Sequence, residues 1–218
     1  MSFINTTTNI KNHYDLLIKD FKLDESKVLI AFPYGSRVYG TDRPESDYDY
    51  IVVMDDSVHD QDSLSSSYHN FNATIYGLTS FTEKLNLHKI SALECWFLPA
   101  VKLLKFTHVD IKFALDKKIL RESISEKASH SWVKAKKKFE VVQDRNVYAA
   151  KISLFHSLRI IDFGIQIASK GKIEDYSSSN YLWEEIYTNP AEQWEPYKKQ
   201  YQLFYNNQMT EFRKLAPK

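Results

Sequence analysis

Two aspartates one residue apart, Asp47 and Asp49, open the run Asp47-Tyr48-Asp49-Tyr50-Ile51-Val52-Val53. The run reads as a strand, and alternate residues of a strand share a face. The two carboxylates would therefore project together, roughly 7 Å apart at the backbone. Like charges held close disfavour each other's ionised form unless a cation sits between them. Mg²⁺ suits that place, because it takes oxygen ligands and usually combines one or two carboxylates with substrate phosphates. The plain alternative for Asp-x-Asp at a strand start is a solvated turn. Upstream, Val28 to Phe32 is an unbroken apolar run, the pattern of a buried strand ending at Pro33. Gly35-Ser36 follows. Glycine lets backbone approach a ligand closely, and the serine adds a hydroxyl and an amide N–H.

Gly35-Ser36, a spacer of ten residues and Asp47-Tyr48-Asp49 stand in an order with a known parallel. It resembles the nucleotidyltransferase superfamily that includes DNA polymerase β. The longer string GSRVYGTDRPESDYDY is similar to one branch of bacterial and viral nucleotidyltransferases. The resemblance runs over about residues 28 to 187. It implies an α/β fold, a small mixed sheet with flanking helices followed by a C-terminal helical domain. Residues 1–115 would form the catalytic domain, and 116–218 a helical domain closing the nucleotide cleft.

By the same resemblance, a nucleoside monophosphate passes from a nucleoside triphosphate to an acceptor, with release of pyrophosphate. Asp47 and Asp49 would hold Mg²⁺ or Mn²⁺. Gly35 and Ser36 would hold the triphosphate tail, and Arg37, Lys151, His156 and Arg159 would meet its charge. Such proteins carry a third carboxylate on a later strand, able to take a proton or help hold metal. Here that place holds Asn72, whose carbonyl can face a metal but which is no carboxylate base. Glu94, an acid in apolar company, is the leading substitute; its plain alternative is a glutamate bonded to an arginine or an amide. The asparagine also keeps open a nucleotide-binding module without efficient turnover. An antitoxin-like interaction protein on the same fold is the third reading.

The elements that must position these residues follow from periodicity. Ile10, Tyr14, Leu17, Ile18 and Phe21 mark an amphipathic helix over 9–22. Residues 55–67, rich in Ser and Asp, read as a loop in which Asp55 and Asp56 end the strand in solvent. Residues 68–78 read as a strand and 79–87 as a helix capped by Thr79 or Ser80. Beyond about residue 116 only helices are expected: 118–143, 148–168 ending at Gly171, a short one through Trp183, and an aromatic one over 191–215.

In the helix over 148–168, Lys151 and Arg159 lie about 80° apart around the axis, with His156 on the other flank. The alternative pairs Arg159 with Asp162 and leaves Lys151 solvated. Lys134, Lys136, Lys137 and Lys138 form a cluster that leans toward RNA as acceptor, beside a protein hydroxyl or a small molecule. A solvated helix face is the plainer account of the cluster, given the modest net charge. The 218 residues carry a net charge of +1, which selects no partner. The single Cys95 excludes an intramolecular disulfide and suits a reducing compartment. No membrane span or signal peptide is read, so a cytoplasmic protein is expected.

Overall fold

The computed structural model describes residues 6–66 and 68–217; the side chains of 6–11 and of Ser63 lie outside the description. The chain divides into two compact units. Residues up to 86 join 91–114 in the first, and 87–90 join those from 115 onward in the second.

The first unit is a mixed sheet with helices against it. Its strands are β1 (Val28–Tyr34), β2 (Tyr48–Met54), β3 (Gln61–Ser66), β4 (Phe71–Gly77) and β5 (Lys105–Phe106). They lie in the order β3-β4-β2-β1-β5. β2 and β4 are parallel, and every other pair is antiparallel. β1 continues through Pro33 to Tyr34, past the expected stop. β5 pairs only with Ile30 and Ala31, so β1 is an edge on that side by Pro33, and an edge tolerates a residue without an N–H. β3 corrects the loop expected over 55–67, of which Ser67 lies outside the described residues. Asp56 is exposed, as expected, and also accepts the N–H of Thr79 at 2.8 Å and its hydroxyl at 2.7 Å, capping α3 (Leu78–Asn86) from across the chain.

Alternation along β2 and β4 sorts the sheet into two faces. Tyr50, Val52, Met54, Phe71, Ala73 and Ile75 form one core with Tyr14 and Leu17 of α1 (Thr6–Phe21). Ile18 and Phe21 pack on its margin, while the side chain of Ile10 is not among those described. On the other face Phe32 stacks on Phe81 of α3 at 5.6 Å. Asp49 and Asn72 alternate onto this second face, clear of the aromatic core around α1. α4 (Ile90–Trp96) carries Glu94 and the buried Leu93 and Cys95.

The second unit is helical: α5 (Lys117–Glu140), α6 (Val147–Lys170), α7 (Asn180–Thr188) and α8 (Trp194–Leu215). Asp116 caps α5 by accepting two N–H groups, and Asn146 caps α6 by accepting that of Ala149. Gly171 closes α6 in the left-handed conformation, as its place in the sequence predicts. A Cβ on Gly164 would stand 2.8 Å from Ile124 of α5 and 3.0 Å from Phe212 of α8, so three helices meet there at a distance only glycine allows. Trp183 is core, 5.4 Å from the Phe155 ring. The lysine run is partly neutralised: Lys136 faces Glu140 at 3.8 Å, Lys137 faces Asp144 at 3.6 Å, and Lys138 bonds Asp144. Among the described residues, no helix is long and apolar enough to cross a membrane.

Candidate functional site

Asp47 precedes β2, and Asp49 is its second residue. The parallel register sets Asp49 opposite Asn72 on β4. Asn72 Nδ2 donates to Asp47 Oδ2 at 3.0 Å and to Asp49 Oδ1 at 3.2 Å. Its Oδ1 accepts from Ser65 Oγ at 2.7 Å. Two carboxylates therefore converge on one amide nitrogen, and an edge strand not expected from the sequence holds the amide from behind. Ser65 is the residue that sequence reasoning missed. Its type carries no signal, and only the recognition of β3 would have brought it to Asn72.

Gly35 shapes the same corner. It has φ +78° and ψ −157°, a region almost closed to other residues. A Cβ there would collide with Asp49 Oδ2 and stand 3.0 Å from Asp49 Cγ. Asp49 thus packs one oxygen against the glycine backbone and turns the other toward Asn72. Burial raises the pKa of Asp49, and the nearby Asp47 charge adds to that; the Asn72 bond and Arg37 oppose it. Ser36 opens the one-turn helix α2 (Ser36–Tyr39). The first N–H groups of any helix have no helical acceptor.

Arg37 lies in the same corner with a full set of local partners. Its Nε donates to the Asp47 carbonyl at 3.2 Å, one Nη to the Ser46 carbonyl at 2.6 Å, and the other to Asp42 at 3.0 Å. Its guanidinium also lies 3.8 Å from the centre of the Tyr48 ring. These bonds fold the 42–47 loop back onto α2 and fix the backbone that carries Asp47.

Glu94 is 2% exposed and accepts the Tyr39 hydroxyl at 2.7 Å, so it braces the end of α2 from beneath. Lys151, His156 and Arg159 belong to the second unit and have partners there. Lys151 Nζ donates to the carbonyls of Tyr187 and Asn189 at 3.0 and 2.7 Å, tying α6 to the end of α7. An Arg159 Nη lies 3.0 Å from His156 Nδ1, and its guanidinium lies 5.1 Å from the Phe163 ring centre. Burial lowers the His156 pKa strongly, and Arg159, Lys127 and Lys134 lower it further. Asp162, the alternative partner for Arg159, accepts instead from Gln166, Ser178 and Ser179.

A divalent cation fits this donor set on two grounds. Two carboxylate oxygens already converge on the partly positive Asn72 amide nitrogen. The glycine at position 35 lets Asp49 seat one oxygen and present the other. Among the described residues, no group of three or more His, Cys, Asp or Glu side chains gathers as a metal site. The corner offers two carboxylates and an amide oxygen, donors of the oxygen type that Mg²⁺ takes when it shares its shell with phosphate oxygens and water. No family model matches the chain, and no curated protein matches it.

Proposed function

We propose that the chain is a metal-dependent nucleotidyltransferase, moving a nucleoside monophosphate from a nucleoside triphosphate to an acceptor hydroxyl. The observation that carries this reading is the convergence of Asp47 Oδ2 and Asp49 Oδ1 on one point beside the Gly35-Ser36 turn. In the reaction the acceptor oxygen bonds to the α-phosphorus. The bond from that phosphorus to the bridging oxygen breaks, and pyrophosphate leaves.

Asp47 and Asp49 would hold Mg²⁺ or Mn²⁺, which supplies charge to offset that developing on the phosphate oxygens. Gly35 and Ser36 offer backbone and hydroxyl to the phosphate tail. Arg37 keeps the 42–47 loop and the Asp47 carboxylate in place, and its positive charge favours an anionic ligand nearby. Glu94 acts through Tyr39, holding the turn from which Gly35 and Ser36 project. No carboxylate stands at position 72, so the acceptor's proton passes to water, and transfer is slow near neutral pH. The single buried Cys95 fits a reducing cytoplasmic setting.

One observation favours a second reading, a nucleotide-binding module with little turnover: at the position where the resemblance implies a base, Asn72 presents an amide that donates to both carboxylates.

A single experiment separates the two. The pure protein is incubated with each α-labelled nucleoside triphosphate, Mg²⁺ or Mn²⁺, and total RNA or lysate. Label reaching a macromolecule, and failing to do so with Asp47→Ala/Asp49→Ala, supports transfer and identifies the acceptor class, RNA being the first to examine. Saturable metal-dependent nucleotide binding without transfer supports the module. Transfer that survives the double substitution overturns the two-carboxylate mechanism.

A further inference from the structure

Asn72 has an unusual pair of obligations. Its nitrogen side serves two carboxylates, and its oxygen side accepts one hydroxyl. A side-chain amide has donors on one end and an acceptor on the other, so half a turn about its last bond exchanges them. Most buried amides cannot make that exchange, because a fixed donor or acceptor behind them would lose its partner. Ser65 removes the obstacle. Its hydroxyl donates to Oδ1 in the orientation seen, and its lone pairs can accept from Nδ2 in the other.

The front of the amide differs. Turning it puts a carbonyl oxygen where Nδ2 now stands, facing Asp47 and Asp49 at similar distance. Three oxygens with no positive charge among them repel. The turned orientation is therefore favoured only when a cation sits between them, and there it adds a third oxygen ligand. A carboxylate at position 72 would have no such choice, since it offers oxygen in both orientations.

We propose that Asn72 is a two-position element of the metal site, turning on Ser65 to exchange a proton donor for an oxygen ligand as a divalent cation arrives. The inference rests on the reading of Asp47 and Asp49 as metal ligands. It assigns Ser65 a role that neither its type nor its exposure suggests. Occupancy and amide orientation are linked, so each stabilises the other.

The test needs no activity. Mn²⁺ alone is titrated into the full chain, and the free ion is followed by electron paramagnetic resonance. Circular dichroism confirms that each variant is folded. Asn72→Ala is expected to bind Mn²⁺ on the order of tenfold more weakly, as for loss of a ligand or of its support. Ser65→Ala should weaken binding in the same direction by less. In parallel, the side-chain amide resonances of Asn72, identified by their absence from Asn72→Ala, should move upfield on Mg²⁺ addition. They exchange two charged acceptors for a neutral one. The proposal is overturned if Asn72→Ala binds Mn²⁺ as tightly as wild type or tighter, which would make the amide a bystander or a plug. It is also overturned if the amide resonances stay still while Mg²⁺ saturates. Failure of the underlying reading looks different: no saturable Mn²⁺ binding by wild type, or binding unchanged in Asp47→Ala/Asp49→Ala.

Discussion

Asp49 keeps one oxygen against Gly35 and shares the other with Asn72 in a half-buried corner. Its pKa is raised, chiefly by burial. The folded protein therefore holds the proton to a higher pH than the unfolded chain, whose aspartates lose theirs near pH 4. Folding is helped by acid at this residue and hindered above the raised value. Asp49→Asn should accordingly raise the melting temperature at pH 7 and leave it unchanged near pH 3, as thermal melts at the two values will report. Gly35→Ala should cost about 1–3 kcal/mol of stability from backbone conformation alone, before the clash with Asp49 is added; urea titration measures it. Asn72→Asp places a third carboxylate beside Asp47 and Asp49, where in the proposed reaction it would act as base. A general base contributes on the order of 10²–10⁴-fold, so a gain of at least a hundredfold in transfer at neutral pH is expected in the labelled-nucleotide assay. The same change should make stability more dependent on Mg²⁺, since three carboxylates then share the corner.

The elements differ in how far sequence reveals them. β1, β2 and β4 announce themselves by apolar runs or alternation, and the register of β2 with β4 brings Asp49 to Asn72. Residues 61–66 do not. Gln-Asp-Ser-Leu-Ser-Ser forms an edge strand with a single apolar residue, Leu64, which packs against the core, so no hydrophobic period marks it. The partners of Arg37 and Lys151 were equally illegible. Both bind carbonyls of residues distant in sequence, and a backbone carbonyl leaves no trace in residue type. In α6, nothing in residue type sets Gly164 apart from an ordinary helical glycine. Its role appears only where Ile124 and Phe212 meet it. Gly164→Val should destabilise by about 1–3 kcal/mol through overpacking, despite removing a poor helix former. Ile124→Ala in the same chain should return part of that loss, as a double-mutant cycle would record. His156, also on α6, is kept neutral, with its pKa well below the ordinary 6.5. The unfolded chain takes up that proton first as pH falls, so stability declines below about pH 6.5 and levels off beneath the folded value. His156→Gln should flatten this part of the profile.

At the scale of the whole molecule, the chain divides into two compact units, each with its own buried residues. The second has its own aromatic interior, in which Trp132 meets Trp194 and Tyr205, and Phe139 stacks on Tyr197. Residues 115–218 expressed alone should give a helical circular dichroism spectrum and a cooperative melt. The loss of the bond from Asp116 N–H to His88 Nε2 should weaken only the start of α5. An uncooperative melt would show that the short 87–90 segment contributes more than this contact. The parallel pairing of β2 and β4 separates the two units in time. Antiparallel neighbours can close through a hairpin, but parallel strands must wait for a long connection to cross over. Helices built from near neighbours form far sooner than such distant pairings. During refolding, ellipticity should recover first, and the ability to hold Mn²⁺ should return in a later phase. The corner proposed to hold metal would thus be among the last parts of the molecule to exist, and newly made chains would pass through a stage that is helical but without it.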